Sequence, residues 1–402
     1  MLNLSLGLSL GSLATTRGGS AASRLLNLIK NDTGTALIWD YAKTDRRFAE
    51  PIGGANPVAS GDIVGLDLDS SKWGGKAFAQ VLADQPELLA NPNFDANLSG
   101  WTAAAQGSGV VPTWVSGSVF LTRTDASNHG RLYQAIPTEI GSTYCIRTVN
   151  SGATGSHFIQ ASTTAGGNNL LSEQAVAKGA SSLHFITATT TTTYVMVRAV
   201  DNNYSAHVTS VSVCKIPGFH ARQGTGSSKP KWQAGPKPFL ELDGVDDYSE
   251  INLLPGATGT MVVAFRPSTV GGSRNQFILS GGTATGDKRA RIGISTGGYV
   301  NFNLNNSFNT GSTVDYDKDL VAIQTWGGGR RRCYVTTATD PLILDQAFTP
   351  NLDGTGNTYK VGSLESPTEY AKGRLYGALI RSVETSDADV RNIILPAFKG
   401  LF

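Results

Sequence analysis

The chain has 402 residues, 47 of them glycine, and its 33 basic and 31 acidic side chains leave a formal net charge of +2. Hydrophobic residues make up 40% and are spread along the chain, which excludes a disordered polymer, and the near-neutral balance excludes a global attraction to nucleic acid. The length exceeds one ordinary domain and predicts two or three.

In the lead segment 1–30, Leu2, Leu4, Leu6, Leu8 and Leu10 alternate with small polar residues. Period two with no basic start predicts a strand with one apolar face rather than an export leader. Such a strand either anchors on a partner or sister subunit, or completes a sheet of its own domain. Residues 21–30 carry a short helical pattern through Leu25, Leu26 and Ile29, and no apolar run is long enough to insert in a membrane. A strand is predicted at 36–39 and another apolar run, IVGLDLD, at 63–69.

From 86 to 217, strands are predicted at 118–123, 131–136, 143–149, 157–162, 181–188, 193–200 and 206–216, separated by turn residues as in an antiparallel sandwich. From 218 onward they are predicted at 259–267, 276–280, 290–295, 299–305, 320–325, 332–337, 359–364 and 373–383. Ser386 and Asp389 mark the start of a short C-terminal helix. The basic run Arg330-Arg331-Arg332 after Gly327–Gly329 reads first as a solvated hairpin turn, with a phosphate or anionic-sugar contact as the minority reading. Cys145, Cys214 and Cys333 lie far apart with no CxxC pair, which predicts buried free thiols.

Three passages carry a family resemblance. They are IVGLDLD at 63–69, ARQGTG at 221–226 with KPKW at 229–232, and FLELDGVDDYSEI at 239–251. They resemble phage-encoded laminin-G-like, concanavalin-A-like jelly rolls, in which the first two passages normally sit close together. Here 86–217 separates them. That stretch opens ELLANPNF at 87–94 and LSGW at 98–101, then continues YQ at 133–134 and GSTY at 141–144, and it resembles a galactose-binding-like carbohydrate-binding module. The expected fold is all-β: a concanavalin-A-like jelly roll (31–85 and 218–402) interrupted by an antiparallel β-sandwich (86–217), closed by the short C-terminal helix.

Sugar binding needs aromatic faces for stacking and fixed polar partners. The candidates are Trp114, Arg131, Tyr133, His157, Tyr194 and Tyr204, with Arg123 and Arg198 beside them, whereas Trp101 reads as core. No cofactor is expected unless calcium binds Asp95 or the group Asp243, Asp246 and Asp247, whose plainer role is to close turns. Glu241 and Asp243 have the i, i+2 spacing of a jelly-roll glycosidase but fall at a strand's end without the rest of that pattern, so the expectation is a non-enzyme. The resemblance implies a virion spike, fibre or decoration component, assembled in a bacterial host cytoplasm. It would dock on other virion proteins through the lead segment, form a homo-oligomer (a trimer being favoured) and bind host cell-surface polysaccharide. A purely structural virion protein and a polysaccharide depolymerase are the alternatives, since both folds host all three roles.

Overall fold

The computed structural model describes residues 20–38, 41, 44–53, 59–125, 127–151, 155–201, 205–269, 275–283, 288–305, 307–337, 340–352, 354, 357–364 and 369–402. The chain is mostly β and divides into two compact units. The first is built from Met1–Pro51, Ala55–Phe78 and Gly218–Phe402, and the second from Ile52–Gly54 and Ala79–Pro217. The lead-segment leucines Leu2 to Leu10 lie outside the described residues. No helix among those described is long and apolar enough to cross a membrane.

The first unit is an antiparallel two-sheet jelly roll. One sheet runs Lys231–Gln233, Phe239–Asp243, Lys372–Arg381, Gly259–Pro267, Leu320–Gly327, Arg330–Val335, Leu342–Ala347. The other runs Arg47–Phe48, Leu66–Asp67, Ala221–Arg222, Ser249–Ile251, Asn357–Val361, Gln276–Gly282, Arg289–Ile294, Tyr299–Leu304, Ser307–Thr313. The core between them includes Met261, Val263, Phe265, Ile292, Phe302 and Trp326. Against the opposite face of the first sheet, Val262, Ala264, Ile323 and Leu379 pack on Leu25 and Ile29 of the helix Ala21–Ile29 and on Val390, Ile394 and Phe398 of the C-terminal helix. A sheet buried on both faces has no polar alternation. This explains the unbroken apolar run Met261–Phe265 within strand Gly259–Pro267.

The C-terminal helix begins where Ser386 Oγ accepts the Asp389 amide at 3.1 Å, and Leu395 N donates five residues back to Val390 O. This widened turn falls just before Pro396, which has no N–H to continue the ladder and would crowd the carbonyl four residues earlier. The turn after Leu320–Gly327 is Gly-rich as expected, but Arg331 corrects the reading of a solvated basic run. It is fully buried and donates to Phe302 O and Gln324 Oε1, each at 2.9 Å.

Segments from before and after the inserted stretch share one sheet edge. The long strand Lys372–Arg381 pairs along its first half with Phe239–Asp243 and along its second half with Thr35–Ile38. A buried carboxylate holds this junction. Asp69 accepts from Leu37 N (3.0 Å), Ser71 N (2.8 Å), Ser71 Oγ (2.9 Å) and Phe219 N (3.0 Å), and its own amide donates to His220 Nδ1 at 2.9 Å. Gly218 has φ +125°, and a Cβ there would lie 2.7 Å from Asp69 Oδ2, so the chain passes the carboxylate closely only as glycine.

The second unit is a sandwich of two five-stranded antiparallel sheets. One runs Leu171–Val176, His157–Ser162, Thr192–Ala199, His129–Pro137, Thr102–Gln106. The other runs Ser181–Thr187, Thr143–Asn150, Ser205–Ile216, Ser118–Thr122, Thr113–Val115. Leu132, Ile136, Ile146, Ile159, Val195, Val197, Val211 and Val213 fill the space between them.

Candidate functional site

Alternation decides which side chains of the second unit leave its core. On strand His129–Pro137, Leu132 and Ile136 enter the core, so His129, Arg131 and Tyr133 take the opposite face. On Thr192–Ala199, Val195 and Val197 point in and Tyr194, Met196 and Arg198 point out. On His157–Ser162, Ile159 and Ala161 point in and Phe158 and Gln160 point out.

The registers Arg131↔Arg198↔Phe158 and Tyr133↔Met196↔Gln160 lay these residues out as two neighbouring rows on one sheet face. Tyr194 lies diagonal to Tyr133, and their rings stand 6.4 Å apart at 59°. Both are half-buried, as are Arg131 and Phe158.

The loop after strand His157–Ser162 bounds this face. Gln160 Nε2 donates to Gly167 O at 2.9 Å, and a Cβ at Gly166 (φ +79°) would lie 2.7 Å from Arg131 Nη1, so glycine lets the loop approach the guanidinium. Arg131 makes no hydrogen bond or ion pair with any described residue, and its Nε is buried without a partner. Gln160 Oε1, on the same face, is also buried and unpartnered. A buried polar atom without a partner costs free energy unless water or a ligand satisfies it.

Arg198 is committed: it pairs with Glu173, and its guanidinium lies 4.5 Å over the Phe158 ring. His129, at the end of the row, is held down at about 4 by burial and by Arg198, Arg123 and Arg131, against Glu173. The imidazole is therefore neutral at pH 7, and this end of the face is cationic.

The structure thus brings Arg131, Tyr133 and Tyr194 together and leaves the other glycan candidates elsewhere. Trp114 is 38% exposed on an edge strand of the other sheet, where its Nε1 donates to Phe94 O at 2.6 Å and pins the opening turn. His157 is corrected: it is fully buried, with Nε2 at 2.9 Å from Thr148 Oγ1, and offers a ligand no surface. Its place in the strand is one residue off the outward-facing Phe158. Tyr204 lies outside the described residues. Trp101 is in the core, as read from the sequence, and donates to Asn91 O. Phe158 and Gln160 were not singled out from the sequence; their alternation with Ile159 and Ala161 was the available signal.

Of the acidic candidates, Asp95 is exposed in the turn after Asn91 and joins no cluster of acidic or metal-binding side chains among the described residues. Asp243, Asp246 and Asp247 do gather, with a carboxylate oxygen of each within 4.8 Å of the others. One oxygen of each carboxylate is engaged at this turn. Asp243 Oδ1 accepts from Val245 N at 2.7 Å and Asp246 N at 3.2 Å, Asp247 Oδ2 from Asp243 N at 2.9 Å, and Asp246 Oδ2 from Ser228 Oγ at 3.1 Å. One oxygen of each carboxylate remains for a hard cation such as calcium. Burial, with Asp243 and Asp246 nearby, pushes Asp247 up to about 7. Glu241 bonds the Gln233 side chain on the neighbouring strand, so it and Asp243 hold structural contacts.

No protein-family model matches the chain, and no curated protein is significantly similar to it. Among solved structures, the carbohydrate-binding module CBM40 of the Ruminococcus gnavus IT-sialidase bound to α2,3-sialyllactose is similar over 35% of this chain and 83% of its own, at 16% identity and a TM-score of 0.29. Trypanosoma rangeli sialidase is similar over 45% of this chain and 30% of its own (13% identity, TM-score 0.33). A Streptococcus pneumoniae NanB sialidase mutant is similar over 38% and 26% (15% identity, TM-score 0.30). At such identities and TM-scores the likenesses assign neither ligand nor activity to this chain.

Proposed function

We propose that the protein is a non-enzymatic component of a phage or phage-like particle, a spike, fibre or decoration protein, that binds host surface glycans through the inserted sandwich. The observation that carries the binding is the unpartnered Arg131 beside the Tyr133–Tyr194 pair. Aromatic rings supply stacking surface, and a free guanidinium orients a ligand by its hydrogen bonds. The cationic end of the face, where Arg123, Arg131 and Arg198 outnumber Glu173, favours saccharides that carry carboxylates. The particle assignment rests on the passages around IVGLDLD, KPKW and LDGVDDY, and oligomerisation would multiply weak sugar contacts by avidity.

The test is a glycan array probed with the full chain, with the Arg131→Ala variant and with the Tyr133→Ala/Tyr194→Ala double variant. Loss of one aromatic stacking partner or one charge-assisted hydrogen bond weakens binding by about tenfold or more. Acidic-glycan signals unchanged in both variants would refute the site. An antibody against the chain that fails to label purified particles would refute the particle assignment separately.

A further inference from the structure

Cys145 and Cys214 are distant in sequence but directly opposed on adjacent antiparallel strands, with Cys214 the register partner of Cys145 between Val213↔Ile146 and Lys215↔Tyr144. Their neighbours Tyr144, Ile146 and Val213 point into the core, so the two thiols share the other face of the sheet. Directly opposed residues in an antiparallel pair have Cα atoms about 4.5–5.5 Å apart, within the roughly 4.4–6.8 Å that a disulfide spans. Each thiol perturbs the other: Cys214 and burial push the Cys145 thiol up, and Cys145 holds the Cys214 thiol down. Cys145 is fully buried and Cys214 is 6% exposed. Ser212, two residues before Cys214 on the same face, lines an open cleft of about 540 Å³ with Glu87, Arg147 and Ser210. The third thiol, Cys333, is buried in the other unit opposite Gln324 and Leu344.

We propose that Cys145 and Cys214 are a cross-strand redox pair that closes to an intrachain disulfide when the folded protein meets a disulfide oxidant. With oxidised glutathione, Cys214 thiolate attacks one glutathione sulfur, forming a mixed disulfide and expelling the other glutathione as a thiolate. Cys145 sulfur then attacks Cys214 Sγ and expels the second glutathione. The pair loses two electrons, and its two protons pass to the two released thiolates. Cys214 is the entry point because it has the greater exposure and, with Cys145 beside it, the more acidic thiol.

The experiment exposes the full native chain to oxidised glutathione, denatures and alkylates it, and maps the thiols by mass spectrometry. The expected result is a linked pair of peptides containing Cys145 and Cys214, with Cys333 alone alkylated. The melting temperature of the oxidised chain should rise by about 10 °C and return with dithiothreitol. Cys145→Ala and Cys214→Ala should each abolish the shift. If either variant fails to fold, the wild-type thiol map still decides. Three alkylated thiols, or linkage of either cysteine to Cys333 or to a second chain, would overturn the proposal.

Discussion

Asp69 is the sharpest point at which to test how the jelly roll is closed. Replacing it with alanine leaves three backbone amides, Leu37 N, Ser71 N and Phe219 N, without their acceptor. A buried unsatisfied donor costs about 1–3 kcal/mol. Relief of the carboxylate's own desolvation and entry of a water into the gap offset part of the sum. A loss of about 3–5 kcal/mol in the first unit is expected. Asp69→Asn keeps one carbonyl oxygen but turns an amide N–H₂ toward either the Leu37 and Ser71 amides or the Phe219 amide, and should cost about half as much.

The pH profile gives a second reading of the same residue. Full burial, opposed by the four donors, carries the Asp69 carboxyl from 3.8 to about 6. Between those values the native state holds a proton that the unfolded state has released, so stability falls as pH rises from about 4 to about 6 and is flat above. The full excursion is of order 3 kcal/mol, and Asp69→Asn should remove that limb. Because the chain has two units, a single unfolding curve is not two-state, and hydrogen exchange at the Leu37 amide is the local probe. A cost below about 1 kcal/mol together with a Leu37 amide that stays protected in Asp69→Ala would refute the argument.

Gly259→Ala would place a Cβ 2.3 Å from the buried Trp326 ring, and this overpacking should lower the stability of the first unit by about 1–3 kcal/mol, read from hydrogen exchange along Gly259–Pro267. Phe398→Ala removes a fully buried ring from the helix layer on the first sheet and should cost about 3–5 kcal/mol, with exchange speeding up across Ala21–Ile29 because that helix loses its partner. Asp247→Asn should flatten the stability profile between about pH 4 and 7, because a carboxyl raised to about 7 holds its proton only in the native state across that window. After discounting for solvent screening, melting at pH 8 should show a gain of about 1 kcal/mol.

Regular alternation made several strands of the second unit legible from the sequence: 157–162 was read with its observed bounds, and 143–149 and 206–216 came within a residue at each end. The strands Thr102–Gln106 and Leu171–Val176 gave no such signal. They are sheet edges, and their TAAAQ and LSEQAV sequences put few large apolar side chains into the core. Composition could not show that Arg331 is buried, because the acceptors that stabilise it, Phe302 O and Gln324 Oε1, come from two other strands.

The candidate site was legible as residue types but not as a place, and the reason is register. Arg131, Tyr133 and Tyr194 are outward on their own strands by alternation, yet only the pairing Arg131↔Arg198 and Tyr133↔Met196 puts them on one surface. His157 shows the opposite case. A histidine in a strand of a sugar-binding-like sandwich is a reasonable ligand contact, but Ile159 and Ala161 fix the inward parity, and a one-residue step separates the buried His157 from the half-exposed Phe158. The same quantity joins Cys145 to Cys214. Their separation along the chain argued against a bond, whereas strand pairing makes them nearest neighbours. Register is set by which apolar face must be buried and by the bulge between Val208 and Ser210 that resets it along Ser205–Ile216. Deleting Thr209, the residue in excess at that bulge, would therefore leave Val208, Val211 and Val213 alternating onto the core face, and Ser210, Ser212 and Cys214 should keep their outward side. The Cys145–Cys214 link should still form in that variant on oxidation, and its absence from the thiol map would refute this account of the register.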